Sequence, residues 1–587
     1  MPFLAQLLHA RYVRCACALI LACVSAHAIA TAGQPGTLDP TWVPTSPLGA
    51  GKLVTPMTTG TDRVRASALQ ADGKLVLAGY CPNPTRNDYC VVRYNTDGSL
   101  DTSFNGTGKL LFSMGPDDDQ GNALAIQADG KILVTGACAT VNSEYDFCTA
   151  RLNTDGSFDP TFGTSGDGRV ITPAGGSGAN FGNHARTIAI QSVGVNAGKI
   201  IVGGTCTLAT DGNHRLCAAR YLANGTLDAT FNGTGVFVEA PHTDGQVNTM
   251  AMALQADDKI VIVRNCTNFN DFCTIRYTAN GVLDTTFNGT GRVLTDLTAD
   301  RDIVTSVKIQ NDQKILISGS CANSDPTVAD NGSYRRHDFC IVRYNSNGSL
   351  DTTWNGTGKV ISPISQAVDF INTSALQTDG KLLVAGYCGL STKLRFCIAR
   401  YTTNGALDLS FNTTGFNVFA ITPGIGDIAT TMNIQSDGKI LLAGDCFVGS
   451  DIEFCAARLD GDPPVSTCAV DLDGDTKVIA TIDSLMHIRI ALGLSNTAVT
   501  NGIHFPNGTP RNTWTSISNY LVGKTLDIDG DGLTTASIDS LIHARVALGL
   551  AGSAVINGIL FPANATRNTW PLIRDYLVTQ CGMSLMQ

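Results

Sequence analysis

Short apolar runs separated by turn signals fill most of the chain. Between Ala68 and Lys109 the runs SALQ, KLVLAGY, CVVRYN and GKLLF are rich in β-favouring residues, and each is too short for a helix of ordinary length. Asp72-Gly73 supplies the positive φ of a tight hairpin turn between the first two. NTDGSLDTSFNGTG carries two more turn signals before the fourth. The pattern predicts a four-stranded antiparallel meander. Relatives of it recur six more times before Asp460, at a spacing of about 55 to 68 residues, which predicts a closed array whose modules bury their faces on one another. The seventh module has three strands, near Met432, Ile440 and Ala456, and lacks a fourth. Gly36 to Thr55, reading GTLDPTW and then GKLVT, resembles the missing piece. The expected fold is therefore mainly β: a seven-bladed propeller over residues 33–460 whose N-terminal strand closes the last blade, leaving no open sheet edge.

Cysteine sharpens this picture. In each module one Cys ends the second strand and another begins the third, so a hairpin brings the two sulfurs within bridging reach. The pairs are Cys81 with Cys90, Cys138 with Cys148, Cys206 with Cys217, Cys266 with Cys273, Cys321 with Cys340, Cys388 with Cys397, and Cys446 with Cys455. Metal ligation is the alternative, but no CxxC spacing occurs and no His recurs beside them. Of the 19 cysteines, three lie before Val24, and Cys468 and Cys581 remain to bracket the C-terminal region as an eighth disulfide. An even count in the mature chain fits an oxidising compartment.

Three polar positions also recur. Arg follows the second Cys by three residues, at Arg93, Arg151, Arg220, Arg276, Arg343, Arg400 and Arg458. Asp follows that Arg by eight, at Asp101, Asp159, Asp228, Asp284, Asp351 and Asp408, and Asp39 supplies the seventh from the front. Such repetition predicts structural ion pairs rather than sevenfold chemistry. Gln ends each first strand, from Gln70 to Gln435, and eight residues earlier stand Asp62, Asp119, Asp302, Asp369 and Asp427. These could ring the channel mouth and attract a cation; as capping residues they would instead bond their own loop amides. The turns after first and third strands are nearly constant, whereas the loops on the other face vary and are the place for recognition. The longest, Ala322 to Phe339, carries Asp325, Asp330, Arg335, Arg336, His337 and Asp338. No nucleophile, base and orienting group can be assigned among them, so the reading leans away from an enzyme.

After Pro463-Pro464 the pattern changes. Residues 461–467 read as a linker and 468–582 as two copies of one unit, offset by about 56 residues, beginning DLDGDTKVIATIDSL and DIDGDGLTTASIDSL. Aspartates at positions 1, 3 and 5 of a tight loop gather hard oxygen ligands suited to calcium, and a carboxylate at position 13 closes the shell from a following helix. The first set is Asp471, Asp473, Asp475 and Asp483 with the Lys477 carbonyl. The second is Asp527, Asp529, Asp531 and Asp539 with the Leu533 carbonyl. Gly532 suits the sharp turn at position six, where the first copy has Thr476, so the second site is expected to be the tighter. His487 and His543 repeat on the helices and are read as surface or packing residues.

The strings ALQxDGKxxxAG and RYxxxGxLDxxF resemble the delta-60 repeat family of bacterial secreted and surface proteins, a resemblance that implies a β-propeller and says little of activity. The C-terminal pair resembles dockerin-like, EF-hand-related calcium modules. Two departures from dockerins, the later closing Asp and the NGIxFPxxxxRNTW segment after each helix, weaken the cohesin partner that this resemblance implies. A formal net charge of −10 over 587 residues argues against a nucleic-acid surface. Arg11 and Arg14 before CACALILACVSA, with Ala26-His27-Ala28 as a cleavage site, predict an export signal over residues 1–28; Cys23 offers a lipoprotein-like alternative. No later segment is long and apolar enough to span a bilayer. The expected protein is a secreted or cell-surface calcium-binding propeller that serves as a scaffold for an extracellular ligand, such as a glycan, or for a protein. Its rivals are a glycan-acting hydrolase or lyase and a dockerin-type component of a complex.

Overall fold

Seven four-stranded antiparallel sheets account for every described strand. The computed structural model describes residues 33–43, 45–84, 86–140, 144–175, 182–207, 214–240, 250–266, 271–322, 337–365, 367–389, 393–424, 426–462, 470–473, 478–506, 509–521, 524–562, 565–579 and 581. The export signal, Cys468, Asp475, Lys477 and most of the Ala322–Phe339 loop lie outside that set. Two compact units result: one holds the sheets up to Asp460, and the other holds the chain from Gly461 together with the turns Gln377–Lys381 and Ile434–Lys439. Among the described residues no helix is long and apolar enough to cross a membrane.

The ring closes as its first strand predicts. β1 (Lys52–Thr55) pairs with Asp451–Leu459, placing Val54 opposite Cys455 and Lys52 opposite Ala457. The first complete blade follows as β2 (Arg63–Leu69), β3 (Leu75–Asn83), β4 (Arg86–Tyr94) and β5 (Lys109–Phe112). First strands of successive blades adjoin one another around the centre. Val76, Ala78 and Val91 of this blade pack against Ile132, Val134 and Ala150 of the next, so each core belongs to two blades. A single blade could not bury that face alone, and stability is shared around the ring.

One glycine explains a detail of every such strand but one. In AGYC-like segments the glycine two places before Cys meets the first strand at very close range: a Cβ on Gly79 would lie 1.8 Å from the Arg63 carbonyl oxygen, and one on Gly386 1.9 Å from that of Phe370. The approach comes from a β-bulge. Among the described pairings five first strands carry one, at Arg65, Asn122, Arg186, Thr305 and Asn372. Blade four has Arg264 in place of the glycine, and its described first strand runs without a register shift.

All seven cysteine pairs form disulfides, with Cα–Cα distances from 5.5 Å (Cys388–Cys397) to 5.9 Å (Cys81–Cys90). The bridge is diagonal: Cys81 stands opposite Asp88 and Cys90 opposite Gly79. All seven Arg–Asp pairs form too, from Arg93–Asp101 at 2.7 Å to Arg458–Asp39 at 2.7 Å across the closure. Arg93, Arg151, Arg220, Arg276, Arg343 and Arg458 are also ties between blades, each donating to a carbonyl of the next blade, as Arg220 does to Ala279 at 2.6 Å and Arg458 to Thr96 at 2.9 Å.

The C-terminal unit is built from small helices. α1 (Leu485–Ala491) continues a π-helical turn at Ala480–Ser484; α2 (Trp514–Leu521), α3 (Asp539–Ala547) and α4 (Trp570–Thr579) complete two similar halves. Each half borrows from the other: Val470 and Val478 pack into the cluster of Ile528 and Ile542, and Leu526 into that of Leu472 and Met486. Cys581 is disulfide-bonded.

Candidate metal centre

Carboxylates converge at both loops that the sequence singles out. Oxygens of Asp471, Asp473 and Asp483 lie within 4.8 Å of one another, as do those of Asp527, Asp529 and Asp531. The closing residues take a second role. Asp483 accepts the N–H of Leu472 (2.7 Å), Asp473 (3.2 Å) and Ile479 (2.8 Å), pinning the loop to the start of its helix. Asp539 does the same for Ile528 (2.6 Å), Asp529 (3.1 Å) and Thr535 (2.7 Å). Within the second loop Asp527 accepts from Gly530 and Gly532, and Asp531 accepts from Leu533. Gly532 sits at φ +91°, the left-handed turn that position six requires.

The electrostatics are those of a crowded acidic site. Asp529 is 1% exposed, and its Oδ2 has no hydrogen-bond partner among the described residues. Burial, reinforced by the charges of Asp539 and Asp531, pushes its carboxyl up to about 7. Burial likewise raises Asp483 to about 6, against the three backbone donors that favour its charged form. A divalent cation among hard oxygens would relieve both costs at once, so the donor set fits calcium.

Two residues that the sequence reading left without a role hold these loops in shape. Arg511 donates through Nε and Nη2 to the carbonyls of Leu472 (3.0 Å) and Asp471 (2.7 Å), while its own N–H donates to the Asp473 carbonyl (2.9 Å). Arg567 repeats the clamp on Ile528 (2.7 Å), Asp527 (2.9 Å) and Asp529 (2.8 Å). Each guanidinium stacks on an aromatic ring at 3.8 Å, Tyr520 or Tyr576. The signal was available in the arginine of the repeated RNTW segment.

His487 and His543 are packing residues, fully buried where α1 crosses α3, with ring centroids 4.7 Å apart. His543 Nε2 donates to the Val470 carbonyl at 2.9 Å, so its neutral ring accepts the Ser484 hydroxyl at Nδ1. Burial depresses both, His487 to about 3 and His543 to about 4. Because the folded values lie below the unfolded one, stability is complete above about pH 6.5 and falls with acidification toward pH 4, by up to about 1.4 kcal/mol per pH unit for each ring. The raised carboxylates act in the opposite sense. We therefore expect the melting temperature of wild type minus that of His487→Gln/His543→Gln to shrink between pH 6.5 and 4.5, measured by circular dichroism at saturating calcium. A constant difference would exclude the histidines as the acid-sensitive element.

In the propeller, the recurrent first-strand aspartates do not ring a cation site. Asp62 accepts from Met57 and Thr58, Asp302 from Leu297 and Thr298, and Asp427 from Ile421 and Thr422; all are buried caps of their own loops. Of the variable-loop residues, His337 packs near Phe370 and Asp338 is buried, whereas Asp325, Asp330, Arg335 and Arg336 lie outside the described residues.

A family model described as a domain of unknown function (DUF5122) beta-propeller matches residues 70–104, 127–162, 198–231, 255–287, 310–353 and 377–411, one stretch in each of six blades. The match and the seven sheets support a β-propeller repeat architecture. Similar solved structures include polysaccharide lyase Uly1 (12% identity, TM-score 0.39, covering 70% of this chain and 91% of that one). Another is virginiamycin B lyase from Staphylococcus aureus (11%, 0.37, 70% and 98%). A third is an α-L-arabinofuranosidase from Fusarium graminearum (9%, 0.36, 73% and 98%). No curated protein matches the chain.

Proposed function

We propose that this is a secreted or cell-surface, calcium-binding propeller that serves as a scaffold for an extracellular ligand or protein partner. The repeat strings support placing it among delta-60 repeats, and the paired acidic loops support a dockerin-like or EF-hand-related module with calcium as its cofactor. Seven disulfides are consistent with an oxidising, extracellular setting, to which the N-terminal signal would deliver it. Asp471, Asp473 and Asp483 would hold one ion, with Asp475 and the Lys477 carbonyl; Asp527, Asp529 and Asp531 would hold the other, with the Leu533 carbonyl and Asp539 behind them.

The observation that carries the calcium reading is the buried Asp529 oxygen that has no partner within a trio of carboxylates. Leaving such a group uncompensated is costly, and a bound cation removes the cost. Calorimetric titration of the chelator-treated chain should show two calcium sites, and saturation at a hundred times Kd should stabilise the C-terminal unit by about 2.7 kcal/mol per site. Asp529→Asn should remove one site and leave the other. Absence of saturable heat and of any thermal shift at about 10 mM calcium would overturn the reading.

A further inference from the structure

Between the fourth and fifth blades, on the face of the near-constant turns, lies a recess of about 610 Å³. That volume falls within the roughly 300 to 1,000 Å³ of small-molecule sites. The buried residues that line it are Gln255 and Arg276; Asp257, Ser346 and Asn347 line it from exposed positions, with Gln313 half-buried. At Gln313 the repeat is broken. Five of the seven turns have glycine here, Gly73, Gly130, Gly198, Gly380 and Gly438, at φ from +81° to +84°. Blade five holds the same left-handed turn with Gln313 at φ +65°, and blade four with Asp258 at φ +59°. A side chain in that region is strained, and such strain persists where the surroundings hold it. The Asp258 carboxylate accepts the N–H of Ser192 at 3.1 Å and of Val193 at 3.0 Å, which accounts for it. Gln313 is accounted for at one end only. Its Oε1 accepts the Ala256 N–H at 3.0 Å, whereas its Nε2 has no hydrogen-bond partner among the described residues.

The charges around the recess cancel. Lys259 Nζ lies 3.3 Å from Asp257 and 3.5 Å from Asp284, and Arg276 Nε lies 2.8 Å from Asp284. The other donors of Arg276 go to Gln255 Oε1 at 3.2 Å, to the Ser346 carbonyl and to Thr286 Oγ1 at 3.3 Å. Two cations thus face two carboxylates, and no net charge is left to attract an ion. The uncommitted groups are neutral. Asn347 Oδ1 accepts from the Ser349 N–H at 3.0 Å and hydroxyl at 2.8 Å, but its Nδ2, like the Ser346 hydroxyl and Gln313 Nε2, has no hydrogen-bond partner among the described residues. The lining contains no aromatic residue and no leucine, isoleucine or valine. Small-molecule sites are commonly apolar with a few polar groups. This one is polar throughout and suits a ligand whose own surface is covered with hydroxyls, each able to donate and to accept.

We propose that the recess between blades four and five binds a neutral sugar residue, free or at the end of a glycan, through Gln313, Asn347, Ser346 and Asp257. This rests on the ligand-binding reading of the propeller, gives it a site and a ligand class, and is independent of the calcium sites. Gln313 Nε2 and Asn347 Nδ2 donate to sugar oxygens, the Asp257 carboxylate accepts a hydroxyl proton, and the Ser346 hydroxyl does either. Each such bond is exchanged against water and adds little, and the lining offers no ring on which a sugar could stack, so a Kd of about 0.1 to 10 mM is expected.

Saturation-transfer difference NMR on the calcium-saturated full chain tests the proposal with D-glucose, D-galactose, cellobiose and lactose, and with D-glucuronate and D-glucosamine as charged controls. At least one neutral sugar should bind saturably with a Kd below about 10 mM, and the charged controls no more tightly. A disaccharide that binds more tightly than its monosaccharides would mark the end of a glycan as the source, equal affinity a free sugar. Two substitutions restore residues that the repeat uses elsewhere and so keep the fold. Gln313→Gly installs the residue of five other turns, and Asn347→Asp keeps the bonds to a serine two residues on that Asp97 and Asp155 make at the same position. Each should weaken sugar binding about three- to tenfold, as loss of a hydrogen bond does. Sugar binding untouched by both substitutions would overturn this site and leave the ligand-binding reading standing. No neutral-sugar binding below about 10 mM, or tighter binding of either charged control, would overturn the ligand class and leave the calcium reading intact.

Discussion

Replacing Arg220 by methionine lowers the opening free energy of the His214–Tyr221 strand by about 3 to 5 kcal/mol, the cost of stripping one partner from a buried ion pair. The side chain is fully buried and contacts five polar groups: Asp228 at 2.8 Å, Thr230 Oγ1 at 2.8 Å, Asn280 Oδ1 at 3.1 Å, Gln191 Oε1 at 3.3 Å and the Ala279 carbonyl at 2.6 Å. Asp228 keeps Lys199 at 2.8 Å and is only partly orphaned, which argues for the lower end of the range. The Ala279 carbonyl of the next blade loses the nearer of its two side-chain donors and keeps Gln191 Nε2 at 3.2 Å, so it too is only partly orphaned. Amide hydrogen exchange resolved by mass spectrometry would read the change on both sides of this blade boundary. If only the Arg220 blade opens, or if protection is unchanged, the arginine is not a tie between blades. Arg220→Met/Asp228→Asn should recover part of the loss, since the unpaired charge is then gone.

How much could be read from the sequence follows from the distance over which each feature is encoded. The Arg–Asp pairs were legible because both partners lie in one module at a fixed offset, so repetition exposes them; only Asp39 had to be found at the far end of the chain. The strand closure was legible for the same reason. The bulges were not, because a bulge is a property of register between two strands, and the glycine facing Arg63 or Phe370 gives no sign of which carbonyl will approach it. The arginine clamps were visible as repeated letters but lacked a role, since the carbonyls they hold lie about forty residues earlier and backbone oxygens leave no trace in composition.

Arg567→Met should weaken calcium binding at the second loop about 10- to 100-fold without removing a ligand, as loss of an outer support does in other metal sites. Two effects compete. The guanidinium lies 3.8 Å from Asp527 Oδ1, so deleting it removes a positive charge that repels the ion and frees a carboxylate. That pair is part-exposed, and such contacts are worth about 0 to 1 kcal/mol, less at physiological salt. Against it stand two charge-assisted bonds to loop carbonyls at 2.7 and 2.9 Å, together with a ring contact at 3.8 Å, each worth about 0.5 to 3 kcal/mol and all lost together. Loss of loop order therefore outweighs the electrostatic gain, and the Kd rises. Arg567→Lys separates the two, because it keeps the charge and loses the fork: its Kd should lie close to that of the methionine variant, whereas a Kd near wild type would mean that charge rather than shape decides. Calcium titration with the first loop as internal reference gives the comparison within one molecule, since Arg511 and its carbonyls are untouched.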